Sequence, residues 1–491
     1  MPLPFSLLIA LILAYGLDGP SRAGSVSRGL ALTRAGEALA GVALVGLAGF
    51  GLGRWAAFQV RCWGYATSSL LSWYRRGLFA LEVLSLVVYG TIVHGLGWPS
   101  VVRSGFGLGD SILIDDALIL LPFLLGQAAG WWGLYPAERA LRPGRTAGPV
   151  RYLVARARQS FGLVLPGLLL IALGQDLAHR QWPRWSESPW ATLTGMAALG
   201  LGAMFLAPVS FRLAWPTHSL PPGPLRARLE HLARRLGFRF TDILVWDTGQ
   251  TLSNAGVTGA LPWFRYILLT DGLIERLDPR EVEAVFGHEI GHIAHRHLLD
   301  LGLFFIGSLF LIAILSGAID ESIGLMLPRM TPAARSASTV ATVAEEGVTL
   351  AVAGLYFLLV FGHISRRFER QADVFGCRAV SCGQAGCPPH LDVNLAPAPP
   401  RLPASVCPAG IRTCANAMAE VAALNGMDPE KWSWRHGSIE RRIGFLASLE
   451  GKPEAVRKFQ RGVVRLRLAV GLVLLIAMLA AIATGAIEHL R

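Results

Sequence analysis

Charge is scarce in this chain of 491 residues, and lysine is almost missing from it. Asp, Glu, Lys and Arg together make up 16%, against roughly 25% in soluble domains. Lysine occurs only at Lys431, Lys452 and Lys458. So few charges cannot cover the water-exposed surface of the several soluble domains that the length alone would suggest. An apolar content of 53% excludes a disordered chain. Six cysteines are far too few for a small disulfide scaffold. With a mean hydropathy of +0.46, what is left is an integral membrane protein. The net charge of +12 would elsewhere suggest a nucleic-acid partner. Here the basic residues are arginines set between apolar runs, the pattern of topology signals, and no nucleic-acid partner is expected.

A bilayer core takes roughly 20 mostly apolar residues per helix. Runs that meet or approach this lie at 3–17, 37–53, 77–98, 111–135, 160–178, 190–211, 298–319, 346–363 and 468–487, about nine candidate spans. Residues 1–17 lack the basic start of a signal peptide and read as a retained span. The loop at 136–159 holds six arginines, whereas 99–110 holds only Arg103. The positive-inside rule then puts 54–76, 212–297 and 364–463 on the cytoplasmic side. The expected location is a bacterial inner membrane. Asp115 and Asp116 stand at the start of the fourth run, where they either reach the interface or mark an intramembrane functional site.

Two segments are not membrane-like. From 215 a Pro-rich stretch leads into an amphipathic helix with Leu225, Leu229, Leu232 and Leu236 on one face, which is ordinary core spacing. Strands are predicted at 240–246 and 266–270, with a weak, exposed one over 252–259. Asp278-Pro279-Arg280-Glu281 then opens a helix: Asp as N-cap, Pro in the first turn, Glu closing a capping box. That helix reaches His288-Glu289-Ile290-Gly291-His292. Histidines four apart project from one helix face, so His288 and His292 can hold one metal ion. Glu289 beside them can take a proton from metal-bound water. Composition alone would give this three-letter pattern about 0.01 times in such a chain. His295 and His297, placed on the same helix, read as local hydrogen-bonding or interfacial residues.

A catalytic metal needs a third protein ligand. Glu369 and Asp373, again four apart on a predicted helix, supply a candidate ligand and a partner for a ligating histidine. The competing reading is a solvated juxtamembrane charge cluster. Behind them come Cys377, Cys382, Cys387, Cys407 and Cys414, in a Pro-rich stretch. Their spacing lacks the two-residue gap of zinc ribbons. A second, structural metal, crosslinks and reduced packing thiols all remain open for them.

These pieces resemble the integral-membrane zinc metalloendopeptidases that include the type I CAAX prenyl protease and the HtpX heat-shock proteases. The resemblance rests on Ser253-Asn254-Ala255 with Gly259, on 266–273, on His288–His292 and Ser365–Asp373, and on 436–443. It runs over roughly 240–450. It implies a polytopic, mostly α-helical membrane protein with a zincin-like α+β catalytic domain, one catalytic Zn2+ and peptide or protein substrates. It also implies that His288, His292 and Glu369 bind zinc and that Glu289 is the general base. Asp373 would lie behind a ligand, Asn254 would hold the substrate backbone, His436 would stabilise the oxyanion and Arg442 would organise the site. Gly437 stands where the family carries Pro, and the cysteine insertion and a final span set the chain apart from the prenyl protease.

The organisation expected is a membrane region of about six spans over 1–214, a catalytic segment at 215–297 and two spans over 298–363. A second catalytic segment at 364–463, with its insertion at 376–414, and a span over 464–491 complete it. A transporter, suggested by the spans and by Asp115 and Asp116, leaves the histidine motif unexplained. A metal-binding but inactive membrane scaffold would bind metal and cleave nothing.

Overall fold

The computed structural model describes residues 6–11, 13–14, 26–64, 68–109, 111–141, 148–162, 164–182, 205–212, 214–248, 252–259, 261–326, 348–349, 351–382, 387 and 402–484, with single positions at 195, 198 and 202. The chain forms two compact units, 1–215 and 216–491. It is mostly helical and polytopic. Among the described residues five helices are long and apolar enough to cross a membrane, or six if one bent pair is a single span. The expected spans at 3–17, 190–211 and 346–363 fall wholly or partly outside the described residues.

In the first unit the spanning helices are α1 (Arg28–Trp63), α2 (Ser68–Gly90) and α3 (Ile114–Leu141). They are followed by α4 (Pro149–Phe161) and α5 (Leu165–Gln181), bent by 63° at the break between them. Helices α1 and α3 touch through small residues. A Cβ added to Gly49 would lie 2.5 Å from the Gly130 carbonyl oxygen, and one on Gly53 2.1 Å from that of Gly133. Without a hydrophobic drive between helices in lipid, such backbone-to-backbone approach is what holds spans together. Asp115 pairs with the Arg103 guanidinium at 3.2 Å, and its backbone N–H donates to the Ser111 hydroxyl at 3.1 Å. Asp115 is thus buried and paired in the first turn of its helix.

The second unit begins with β1 (Thr217–Ser219), α6 (Pro224–Arg235), β2 (Asp242–Trp246), β3 (Ala255–Thr258) and β4 (Tyr266–Thr270). The sheet order is β1-β2-β4-β3. β2 and β4 run parallel, with Leu244 opposite Leu268, and β3 is the antiparallel edge beside β4. The two central strands are buried along Ile243–Val245 and Ile267–Leu269, and their unbroken apolar runs match that position. The strand predicted from 240 starts only at Asp242, whose carboxylate is held by Arg226 at 2.8 Å. Two short helices' worth of capping follow: α7 (Asp271–Arg276) and then α8 (Pro279–Ala294), which carries the histidine motif. The capping box forms as expected, with the Asp278 N–H donating to Glu281 at 3.1 Å.

On α8, Val282, Phe286 and Ile290 recur every four residues and are almost completely buried against Leu229, Leu232, Ile243 and Ile267. Each such side chain contributes about 1.5–3 kcal/mol, so this face sets the rotation of the helix and turns the histidines away from this apolar core. The chain then bends at Arg296, whose φ of 58° is left-handed, and α9 (His297–Met326) begins. His297 thus opens a new helix; the expectation that it continues α8 is corrected by this bend. The unit closes with α10 (Gly362–Ala379), α11 (Pro408–Leu424), α12 (Ile439–Ser448) and α13 (Pro453–Thr484).

Candidate active site

The site is built where α8 crosses α10, and glycines make the crossing close. A Cβ on Gly376 would stand 2.7 Å from the Ala284 carbonyl oxygen and 2.8 Å from the His288 nitrogen, and one on Gly291 would stand 3.1 Å from the Ala372 Cα. At Gly376 no larger residue fits without moving backbone, and at Gly291 the approach is tight. The approach brings Glu369, about eighty residues further along the chain, opposite the paired imidazoles.

His288 Nε2 and His292 Nε2 lie 3.1 Å apart. Glu369 Oε2 is 3.8 Å from the first and Oε1 3.9 Å from the second. A tetrahedral ion with bonds near 2.0–2.1 Å puts its ligand atoms roughly 3.4 Å apart. The three donors fit a single divalent metal, and their chemistry, two imidazoles and a carboxylate, is that of a hydrolytic centre.

Behind the donors lies a layer of fixed partners. Asp373, fully buried, lies 2.9 Å from His288 Nδ1. Arg442 clamps the same carboxylate through Nε at 2.8 Å and a terminal nitrogen at 2.6 Å, and the latter lies 3.5 Å from Glu369. His436 Nδ1 reaches Glu369 Oε1 at 3.0 Å while its ring is half exposed. Arg442 therefore faces two buried carboxylates of the site itself. Beside His436 opens a groove lined by Arg366, Arg370, Arg441 and Trp432.

The electrostatics follow from this burial and pairing. Burial alone would raise the Asp373 carboxyl, but the Arg442 guanidinium and the His288 hydrogen bond outweigh it and hold it below the usual range. Glu369 is likewise held well down: burial opposes, and His436 and Arg442 prevail. Burial would lower His288, yet the Asp373 hydrogen bond and the nearby carboxylates push it above its ordinary value. His292, which has no carboxylate within hydrogen-bond distance, is lowered to about 4 by burial and by His288, against the opposing pull of Glu369. Burial, helped by Glu369, raises Glu289, the direction a proton acceptor working near neutral pH needs.

His297, read from the sequence as a local hydrogen-bonding or interfacial residue, makes such hydrogen bonds at the back of the site. Its Nδ1 is 2.9 Å from His292 Nδ1 and its Nε2 is 3.0 Å from Gln371 Oε1, with the ring stacked on Phe368 at 4.2 Å. Sequence reading could have suspected it only from density, since four of the twelve histidines fall within 288–297.

Asn254 lies at the head of the edge strand. Its backbone N–H donates to the Thr270 hydroxyl at 2.9 Å and its carbonyl accepts from the Thr270 N–H at 3.0 Å. The preceding Ser253 is gripped on both backbone groups by the Asn425 amide, at 3.0 and 2.7 Å. Asn425 carried no sequence signal, because the contact spans 172 residues. The strand β3 packs against α8, and among the described residues no strand pairs with its outer side.

Residues 220–444 match the signature described as Peptidase family M48. A protease HtpX homolog of Aeropyrum pernix is 30% identical over 187 residues, covering 36% of this chain and 54% of that protein. CAAX prenyl protease 1 of Saccharomyces cerevisiae is 30% identical over 118 residues, covering 23% of this chain and 26% of that one. The chain thus spans about half, or less, of the length of the relatives it matches. The crystal structure of S. mikatae Ste24p superposes with a TM-score of 0.43 at 16% identity, covering 88% of this chain and all of that one.

Proposed function

We propose, from the match of residues 220–444 to peptidase family M48, that the protein is a membrane-embedded zinc metalloendopeptidase that hydrolyses peptide bonds. One observation carries the reading: both imidazole Nε2 atoms and both Glu369 oxygens converge within 3.1 to 3.9 Å. His288, His292 and Glu369 are the metal ligands of this proposal. Zinc held by these three residues would supply a Lewis acid that makes water a better nucleophile and the scissile carbonyl more electrophilic.

The chain's own residues do the rest. Glu289 takes the proton of the attacking water and delivers it to the leaving amine. Asp373, braced by Arg442, holds His288 so that Nε2 faces the centre. His436, half exposed at the rim, hydrogen-bonds the developing oxyanion, a role worth roughly 3–4 kcal/mol where it has been measured by donor removal. The unpaired edge of β3, entered at Asn254, adds the substrate backbone as a further strand. Arg442 orders both carboxylates and also lines the groove beside His436, where it can meet the substrate. The segments 215–297 and 364–463 build the site together, and the arginine distribution supports their facing the cytoplasm.

The test is metal analysis with casein or peptide-library cleavage on purified wild type and Glu289→Gln. The expected result is one hydrolytic zinc at the histidine site in both proteins and cleavage in the wild type alone. Retained proteolysis in the variant would remove Glu289 from its role. Metal without turnover of any peptide by the wild type would favour an inactive scaffold.

A further inference from the structure

The cysteine-rich insertion leaves the carboxyl end of α10 and returns at the start of α11, and its two ends meet. Cys382, Cys387 and Cys407 bring their sulfurs within 4.8 Å of one another, from positions 5 and 20 residues apart. The Cys407 N–H donates to the Ser381 hydroxyl at 3.2 Å, and that hydroxyl donates in turn to the Cys377 carbonyl at 2.8 Å. The Cys407 sulfur caps α11, accepting the Gly410 N–H at 3.3 Å. A helix N-terminus favours the thiolate form. Gly410 is needed there, since a Cβ on it would stand 2.3 Å from the Ser381 oxygen.

The other two cysteines of the group behave differently. Cys377 and Cys414 sit in an apolar cluster with Val406, Ile411 and Leu446, as packing thiols do. Cys382 and Cys387 are only partly buried, and neither they nor Cys407 belong to that cluster. Around a tetrahedral ion with metal–sulfur bonds near 2.3 Å, thiolates stand about 3.8 Å apart, a spacing this arrangement accommodates.

We propose that Cys382, Cys387 and Cys407 form a second, structural metal site for a thiophilic divalent cation such as Zn2+, closing the neck of the insertion. Each thiol releases its proton to solvent on binding. The consequence reaches the active site through two helices. The site pins the end of α10, which carries Glu369 and Asp373, to the start of α11, whose far end bears the Asn425 that grips Ser253. It goes beyond the peptidase reading, because it holds whether or not the histidine site is loaded.

The experiment uses the full chain in detergent. Metal mass spectrometry should find two zinc ions per wild-type chain, one in a His288→Ala/His292→Ala variant, and one in Cys382→Ser/Cys407→Ser. Because the cysteine variant could misfold, two measurements need no cysteine substitution. Cobalt loaded into the His288→Ala/His292→Ala protein should give a thiolate-to-cobalt charge-transfer band. Alkylation of native wild type should spare Cys382, Cys387 and Cys407 until a chelator is added. Absence of the cobalt band overturns the proposal. So does protection relieved by reductant and not by chelator, which means a disulfide, and so does free alkylation without either reagent.

Discussion

Asp373 Oδ1 stands 2.9 Å from His288 Nδ1, and that bond decides which nitrogen of the ring points toward Glu369. The same carboxylate is completely buried and would not be tolerated there as an anion without the Arg442 clamp at 2.6 and 2.8 Å. Orientation of His288 thus depends on a buried Asp373–Arg442 pair behind it.

Asp373→Asn should weaken metal binding by about 10–100-fold, the usual cost of losing such a partner. The pH dependence changes as well. Asp373 raises His288 above its ordinary value, so in the wild type protons compete with the metal from a higher pH downward. Metal occupancy should fall as pH drops through the region above 6.5. In Asp373→Asn burial remains while the carboxylate is gone, so the acid limb moves to lower pH even as affinity falls. Metal content measured against pH checks both effects; a limb that stays in place would mean that another group controls it.

His297→Ala should also release metal by about 10–100-fold, because His292 loses the partner 2.9 Å from its Nδ1. His297→Gln, which keeps a polar atom in reach, should recover part of the loss. If His297 only packs on Phe368, His297→Phe would bind metal as well as wild type. Equilibrium competition with a chelator reads the difference.

Gly376→Ala should destabilise the protein by about 1–3 kcal/mol, the range for overpacking a close contact, and deplete the metal with it. The added carbon meets backbone at 2.7 and 2.8 Å, which cannot rotate away. Gly444→Ala on α12, where nothing lies within 4 Å, is the control and should leave melting temperature and metal content near wild type.

Asn425→Ala should act on substrate rather than on metal. Removing the amide frees both backbone groups of Ser253 and loosens the strand that begins beside it. KM for a peptide substrate should rise while metal content stays unchanged. A fall in kcat with constant KM would count against binding along this edge.

Much was legible in the chain before folding. The scarcity of charge and the apolar runs determined a polytopic membrane protein, since no arrangement of such residues makes a soluble surface. Local chemistry determined α8: the capping box at 278–281, the apolar repeat at Val282, Phe286 and Ile290, and histidines one turn apart are all short-range facts. The pairing of Glu369 with Asp373 at a helical spacing was readable for the same reason.

Only the tertiary structure decided the contacts whose partners lie far apart. Gly376 looks like any helix glycine until α8 approaches it, and Asn425 gains its meaning from a residue 172 positions away. The left-handed turn at Arg296 sends His297 back to His292, where an uninterrupted helix would have carried it off. The three thiols at the insertion's neck carry no recognisable spacing, because the loop between them is free in length and only its ends must meet. Periodicity along a chain reports which face a residue takes; which other face it meets is set by packing, and packing has no period.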